Sequence, residues 1–497
     1  MDNRKTLIEL QNIRKSYDGR TNVIEDISLD IMEGEFVTIL GPSGCGKTTI
    51  LRMIGGFDTP TEGKIMLDGS DISVLPPNMR PINTVFQKYA LFPHLNVFDN
   101  GAFGLKMQKM NKTEMEKKVK EALEIVDLEG FEKRSINTLS GGQQQRIAIA
   151  RALVNEPKVL LLDESLSALD YKMRKEMQIE IKEMHKKLGI TFIFVTHDQE
   201  EALTMSDKVV VMADGIIEQV GTPEMIYNEP ATLFVADFIG ESNIFNGTIK
   251  KKFEAEFAGA SFKCVDDYAV NTKIHAVIRP EDVEIVAAGE GQVSGEVTLA
   301  DFKGTFYTTF VQAGDYEFMI ECREYHAPGT TVGLKVVPDN IHLIPYDADM
   351  NRYEGSVESI SEDNQVTVKF ADFQAVVPVE KLGANVSVVD GKLVLAGADD
   401  AKAEAAEGTD AETAPELVVV AHFNPDEAEM FDGVEAGDVT GKILFFHYIG
   451  DHYSYTISSE TEEYYIVDDE DLWNRNDIVS VKLPFDKFIY EVVSKEE

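Results

Sequence analysis

The sequence predicts an α/β domain with a largely parallel sheet over about residues 1–240, followed by small all-β barrels. In the first part, short apolar runs alternate with amphipathic helical patterns, which is typical of parallel strands joined by crossover helices. After about residue 241 the helical periodicity fades, and short β-rich runs separated by Gly, Pro and Asp turns replace it. The length of 497 residues also exceeds what one hydrophobic core usually supports.

The elements of the first part are predicted from apolar periodicity. The predicted strands are 36–40, 64–67, 159–162, 191–195 and 208–212. The predicted helices are 47–54, 112–126, 143–153 and 170–188, and a helical subdomain is expected at about 88–157.

The charge and the cysteines restrict the functional classes. The net charge of −40 divides into −8 for residues 1–240 and −32 for residues 241–497. Such an acidic second half repels nucleic acid, so no nucleic-acid partner is expected. Its acidity fits either solubility or the sensing of a cation. Three cysteines make no disulfide framework, which favours a reducing compartment. The start lacks the apolar run of a signal peptide, and no apolar stretch is long enough to predict a membrane span.

The motif GPSGCGKTT lies between a predicted strand and a predicted helix, which is the context of a phosphate-binding P-loop. Its glycines let successive N–H groups point at phosphate oxygens, and the helix N-terminus adds positive partial charge. Lys47 can reach the β- and γ-phosphates, and the Thr48 hydroxyl can bind Mg²⁺. Cys45 is interpreted as a backbone donor, with a redox role as the alternative. The predicted phosphate-binding residues are Gly41, Pro42, Ser43, Gly44, Cys45, Gly46, Lys47, Thr48 and Thr49.

Two further motifs complete the predicted chemistry. The buried strand of KVLLLDES ends in Asp163, placed to hold Mg²⁺ through water, and Glu164, placed to polarise a water. The motif LSGGQQQR puts a serine and two glycines at a helix start, which predicts a second anion site. Because the chain has one P-loop, the second site suggests an active site shared between two chains. By themselves, these motifs are also typical of an ordinary strand end and an ordinary helix cap.

These motifs, with Gln87, SALD (167–170) and VTHD (195–198), resemble in order the ATPase subunits of ABC transporters over about residues 5–240. The resemblance implies that Glu164 is the catalytic carboxylate and that His197 and Gln87 act with it. It implies that Tyr17 stacks on adenine and that Thr48, Gln87 and Asp163 bind Mg²⁺. The signature loop that contacts the second nucleotide comprises Ser140, Gly141, Gly142 and Gln143.

A narrower resemblance is carried by NTVFQKYALFPHLNVFDNGAFGLKMQK (83–109), DESLSALDYKMRKEMQ (163–178) and FIGESNIFNG (238–247), which are similar to the ATPases of spermidine/putrescine importers. It implies a homodimer that hydrolyses ATP with Mg²⁺ at the cytoplasmic face of the membrane. It also implies two integral-membrane permeases and an extracytoplasmic polyamine-binding protein as partners. One departure is Gly101, where relatives usually carry Val. The alternatives are another cargo (a sugar, metal ion or vitamin) and an ABC ATPase acting on ribosomes or DNA.

The second part is expected to contain a β-rich regulatory barrel of the OB/TOBE-like kind at 241–345, a further β-rich segment at 346–396 and a second TOBE-like segment at 417–497. Predicted strands include 295–299, 308–311 and 335–337. The acidic low-complexity segment 397–416 between them is interpreted as a flexible linker, with a transient helix as the alternative. SGEVTLADFKGTFY and TGKILFFHYIGDHY are alike at an offset of about 146, which indicates an internal duplication or a chance similarity. A sensor role for these barrels is a further hypothesis.

Overall fold

The computed structural model describes residues 4–494 with gaps at 20, 168, 346–350, 362, 384–385, 390–391, 396–416, 434–436, 450–451, 460, 469–472 and 475–476. The acidic segment predicted at 397–416 therefore lies outside the described residues. The chain divides into two units, Met1–Glu241 and Ser242–Glu497. None of the helices in the described ranges combines the length and the apolar character that crossing a membrane requires.

The first unit alternates strands and helices. Its strands are β1 (Thr6–Ser16), β2 (Asn22–Met32), β3 (Phe36–Leu40), β4 (Glu62–Leu67), β5 (Ser70–Asp71), β6 (Ile82–Val85), β7 (Val159–Asp163), β8 (Thr191–Thr196), β9 (Lys208–Ala213) and β10 (Ile216–Gly221). Its helices are α1 (Lys47–Gly55), α2 (Val97–Gly101), α3 (Phe103–Met107), α4 (Lys112–Ile125), α5 (Gly141–Leu153), α6 (Tyr171–Leu188), α7 (Gln199–Met205), α8 (Pro223–Asn228) and α9 (Leu233–Phe238).

A six-stranded sheet in the order β10-β9-β3-β8-β7-β6 forms the centre of this unit, and the pairs from β9 to β6 are parallel. Alternate residues of β7 enter two different cores because successive side chains of a strand point to opposite faces. Leu160 and Leu162 pack in the core that contains α4, α5 and α6, whereas Val159 and Leu161 pack in the core that contains α1. The sheet is thus covered on both faces, as parallel sheets are, and the predicted α/β class is confirmed.

The second unit is built from strands. They are β11 (Asn243–Lys251), β12 (Glu254–Phe257), β13 (Ala260–Lys263), β14 (Lys273–Ile278), β15 (Glu284–Val286), β16 (Val293–Phe302), β17 (Tyr307–Ala313), β18 (Tyr316–Cys322), β19 (Thr331–Lys335), β20 (His342–Pro345), β21 (Arg352–Ile360), β22 (Gln365–Lys369), β23 (Gln374–Pro378), β24 (Val386–Val389), β25 (Lys392–Leu395), β26 (Leu417–His422), β27 (Glu429–Asp432), β28 (Val439–Ile449), β29 (His452–Ser458), β30 (Glu463–Asp468), β31 (Ile478–Lys482) and β32 (Ile489–Ser494).

These strands form two β modules with the same order of strands, the first over 242–345 and the second over 351–494. The first module contains the sheets β13-β12-β11-β14-β20 and β15-β19-β16-β17-β18. The second contains β23-β22-β21-β26-β32 and β27-β31-β28-β29-β30, with the hairpin β24-β25 beside them. Strands before and after the acidic segment thus share one sheet, because β21 pairs with β26.

A predicted strand in the first module ends earlier than the sequence pattern suggested. The run 335–337 was predicted as a strand, but β19 ends at Lys335 and Val337 begins a short 3-10 turn at Pro338–Asn340. Proline has no N–H to give to a ladder and restricts the residue before it, so the strand cannot extend to this point.

One buried asparagine joins the two sheets in each β module. Asn243 Nδ2 donates to the carbonyl of Met319 at 2.8 Å, and its Oδ1 accepts from the Met319 N–H at 2.7 Å. In the second module Asn351 makes the same pair of hydrogen bonds to the backbone of Tyr465, at 2.7 and 2.8 Å. The two asparagines are 5% and 0% exposed, so water cannot replace these bonds.

We expect Asn351→Ala to lower the free energy of unfolding by about 2–3 kcal/mol, because it leaves a buried N–H and a buried C=O of Tyr465 without their partner. Urea unfolding of the full chain would measure the loss. The matched control is Gln374→Ala, an exposed position expected to change the value by less than about 0.5 kcal/mol. Equal stability of the two variants would contradict this role of Asn351.

Candidate active site

The glycine-rich motif 41–49 runs from the end of β3 into the first turn of α1, at the carboxyl edge of the central sheet. Gly46 precedes the helix in a left-handed conformation, with φ of 96°. A Cβ at this position would lie 2.4 Å from Ile24 Cδ1, so only glycine fits without a shift. Lys47 is 4% exposed, and its Nζ donates to the carbonyls of Gly41 at 2.9 Å and Pro42 at 2.7 Å. The ammonium therefore lies within the curve of the loop.

The Cys45 side chain faces the interior of the same loop. It is buried, and burial raises the pKa of its thiol, an effect that the nearby Lys47 ammonium opposes. The thiol therefore stays protonated at neutral pH, and its contribution to the loop is packing together with the backbone.

Two carboxylates lie at the carboxyl end of β7, Asp163 as its last residue and Glu164 just after it. Burial raises the pKa of Asp163, the Glu164 charge adds to this, and a hydrogen bond with the Thr48 side chain opposes it. Glu164 has a left-handed φ of 41°, and its N–H donates to the carbonyl of Val195 at 3.0 Å. The hydrogen bond with Thr48 places Asp163 against the first turn of α1.

Two polar side chains from other loops face the Glu164 carboxylate, and a third from its own loop bonds its backbone carbonyl. Gln87, just after β6, donates from Nε2 to Glu164 Oε2 at 2.9 Å. His197, just after β8, has Nδ1 at 3.7 Å from Glu164 Oε1. Ser167 donates its hydroxyl to the carbonyl of Glu164 at 2.8 Å and lies 3.4 Å from Gln87 Nε2. Sequence reasoning expected Glu164, Gln87 and His197 together, but it gave Ser167 no role beyond its motif.

The loop that begins α5 is stabilised locally. The Ser140 hydroxyl accepts from the Gln143 N–H at 3.3 Å, and the Gln143 side chain accepts from the Ser140 N–H at 3.1 Å, which is a capping box. A Cβ on Gly141 or Gly142 would meet the side chains of Leu169 or Met173. No hydrogen bond among the described residues joins this loop to the P-loop. Leu139, next to this loop, packs in the core that contains α5, whereas Cys45 of the P-loop packs in the core on the other face of the sheet.

The Tyr17 ring lies at the end of β1 and is 59% exposed. Its hydroxyl donates to Asp58 Oδ2 at 3.2 Å, and Arg52 Nε donates to the same oxygen at 2.7 Å. The Lys15 ammonium lies 4.7 Å from the ring centre. An exposed ring with its hydroxyl already bound offers a flat apolar face to a planar ligand.

If adenine stacks on this face, Tyr17→Ala is expected to weaken ATP binding by roughly 1–3 kcal/mol, the usual contribution of stacking between a base and an aromatic ring. Tyr17→Phe keeps the ring and should bind nearly as well as the unaltered chain. Calorimetric titration of ATP into each protein would compare them. Unchanged affinity of Tyr17→Ala would exclude the ring as the adenine contact.

Taken together, the geometry suits hydrolysis of a phosphate anhydride. The buried Lys47 and the N-terminus of α1 provide positive charge for phosphate oxygens. Glu164 lies beside this loop with an amide and an imidazole oriented on its carboxylate, and such a carboxylate can accept a proton from an attacking water.

Two family models and several known proteins are similar to this chain. Residues 24–167 match the ABC transporter family model, and residues 276–344 match the TOBE domain model. The spermidine/putrescine import ATP-binding protein of Bacteroides thetaiotaomicron is 46% identical over 98% of both chains. That of Acetivibrio thermocellus is 56% identical over 69% of this chain and 97% of its own length. A solved component of an ABC transporter complex from Clostridium perfringens is 32% identical, with a TM-score of 0.43, and covers 45% of this chain and 91% of that one.

Proposed function

Since this chain belongs to the family of spermidine/putrescine import ATP-binding proteins, we propose that it hydrolyses ATP to energise the import of a polyamine through associated permeases. The family that the motifs indicated is thereby confirmed. The observation that best supports the proposal is the convergence of Gln87 and His197 on Glu164 beside the P-loop.

In the proposed mechanism, two copies associate head to tail. Each ATP lies between the P-loop of one copy and the Ser140–Gln143 loop of the other. The separation of these loops within one chain supports this arrangement, because a single copy offers only half of each site. Binding of ATP favours the closed dimer, and loss of the γ-phosphate reopens it, which is the differential affinity that a coupled motor requires.

For the chemical step, we assign the proton-accepting role to Glu164, with His197 and Gln87 positioning its carboxylate. Lys47 and the N-terminus of α1 bind the phosphates. The residues fit Mg²⁺ because the Asp163 carboxylate, the Thr48 hydroxyl that bonds it and the Gln87 amide are oxygen donors of the kind this ion prefers. When bound there, Mg²⁺ would neutralise charge that develops on the phosphate oxygens.

The partners follow from the proposed role. Two integral-membrane permeases would bind the ATPase dimer at the cytoplasmic face of the membrane, and an extracytoplasmic polyamine-binding protein would deliver the cargo. We assign the permease contact to residues 89–100, which follow Gln87. Buried Asn100 shapes this segment, accepting from the Phe92 N–H at 2.9 Å and donating to the Phe92 carbonyl at 3.1 Å.

Uptake of labelled spermidine and putrescine by cells that carry or lack this chain, with the permeases and binding protein present in both, would test the proposal. We expect uptake only with the chain, and loss of uptake with Glu164→Gln. Uptake of a sugar, vitamin or metal ion that depends on the chain, without polyamine uptake, would overturn the cargo and leave the ATPase assignment intact.

A further inference from the structure

The turn directly after Gln87 has an uncommon backbone conformation. Tyr89 and Ala90 are consecutive non-glycine residues with positive φ, 60° and 47°. For residues with a Cβ this left-handed conformation is less favourable than an ordinary one. Such a turn persists only where surrounding contacts hold it, and its alternative is the ordinary right-handed or extended backbone.

Arg151, from the last turn of α5, supplies contacts of this kind. Its Nη1 donates to the carbonyl of Ala90 at 2.7 Å, and its Nη2 donates to the carbonyl of Tyr89 at 2.9 Å. The guanidinium also lies 5.6 Å from the centre of the Phe92 ring. One planar fork thus binds two successive carbonyls of the strained turn, which a lysine ammonium cannot match in geometry.

The surroundings of Arg151 show that its charge is directed at the turn. Burial lowers the pKa of its guanidinium. No ion pair of Arg151 occurs in the part of the chain that the structure describes. The side chain is half-buried, and its described hydrogen bonds go to the two turn carbonyls, so its charge is compensated mainly there.

Helix α5 connects this turn to the signature loop. The helix begins directly after Ser140 and ends at Leu153, a span of about 20 Å at 1.5 Å per residue. Its residues Ile147, Ala148 and Ile149 are each about 1% exposed, so the middle of the helix is firmly packed. Arg151 thus links the turn to the helix whose other end presents the signature loop.

We propose that Arg151 is a positioning residue that couples the turn Tyr89–Ala90 to the signature helix, so that permease binding and ATP hydrolysis are linked through this bidentate contact. The inference rests on the proposed function, because it assigns the two linked sites to the permease and to the second ATP. In this inference, the turn Tyr89–Ala90 is the element that changes between a left-handed and an ordinary backbone. Arg151 is the side chain that stabilises the left-handed state.

The test uses the complete transporter in liposomes, with the chain carrying Arg151→Lys, which keeps the charge and loses the fork. We expect the ratio of cargo-stimulated to unstimulated ATPase activity, and transport with it, to fall about tenfold. ATP affinity and unstimulated activity of the isolated chain should stay within about twofold. The matched control is Arg134→Lys in the same helical region, whose guanidinium stacks on Phe131 at 3.8 Å and which should leave the ratio unchanged.

A second variant separates coupling from simple stabilisation. Ala90→Gly in the Arg151→Lys background removes the cost of the positive φ at that position, so part of the lost ratio should return. An unchanged ratio in Arg151→Lys would overturn the inference. So would equal loss of stimulated and unstimulated activity with weaker ATP binding, which indicates a structural role alone. Failure of the unaltered transporter to respond to polyamine would instead contradict the proposed function.

Discussion

Replacing Glu164 with glutamine is expected to reduce ATP turnover by about 10²–10³, or roughly 3–4 kcal/mol, while ATP still binds. Glutamine keeps the size of the side chain and its contact with Gln87, but it cannot accept the proton of the attacking water. His197 also loses the charge that its Nδ1 faces at 3.7 Å. Phosphate release measures the loss, and titration with ATP establishes that binding remains.

The control for this variant is Glu156→Gln, which removes an exposed carboxylate that pairs with Lys118 outside the site. It should hydrolyse ATP at the unaltered rate.

The Glu164→Gln variant also has a second expected property, because ATP that is bound but not cleaved keeps the dimer closed. It should sediment as a dimer with ATP and as a monomer without it. Rapid hydrolysis by Glu164→Gln would refute the role of this carboxylate.

Replacing Arg80 with alanine is expected to lower the stability of the first unit by about 3–5 kcal/mol, because buried carbonyls lose their donor at about 1–3 kcal/mol each. Arg80 is 6% exposed. It donates to the carbonyls of Met53 and Ile54 at 2.6 and 2.8 Å, and to those of Leu75 and Ser73 at 2.8 and 3.2 Å. All four carbonyls would lose a charged donor in a site that water enters poorly.

The effect should extend to the nucleotide. Met53 and Ile54 lie in the last turns of α1, where a cation satisfies free carbonyls and opposes the negative end of the helix dipole. The first turn of the same helix carries Lys47. Thermal unfolding of the full chain would report a transition lower by about 10 °C, and ATP should protect the variant less. Arg80→Lys should recover part of the loss, and an unfolding temperature equal to that of the unaltered chain would contradict the assignment.

Local sequence patterns predicted most of the strands and helices of the first unit. An apolar run followed by glycines and Lys47 predicted β3, the loop and α1, because strand, loop and helix are all encoded within twenty residues. The run ending in Asp163 predicted β7 for the same reason. The clustering of Gln87, Glu164 and His197 came from a resemblance, since nothing in their spacing brings three loops to one carboxylate.

Contacts between distant segments were beyond the sequence patterns. Arg80 and Arg151 each bind backbone carbonyls. Every residue has a backbone carbonyl, so the sequence does not show which residues accept these hydrogen bonds. The pairing of β21 with β26 across the acidic segment was equally hidden, because strand partners are chosen by tertiary packing. The similar segments around Gly295 and Gly441 did indicate part of the repeated architecture. Both positions require glycine, because a Cβ would lie 2.6 Å from the neighbouring strand at Gly295 and 2.5 Å from it at Gly441.

The repeated order of strands creates a risk of misassembly during synthesis, because a strand from one β module could occupy the equivalent position in the other. Two features oppose such an exchange. The first module is continuous in sequence, so it can close on the ribosome before the second is made. Residues 264–272 separate β13 from β14, which pairs with β11, whereas residues 379–416 separate β23 from β26, so β21 waits longer for its partner. The second module is therefore the part of the chain expected to fold last.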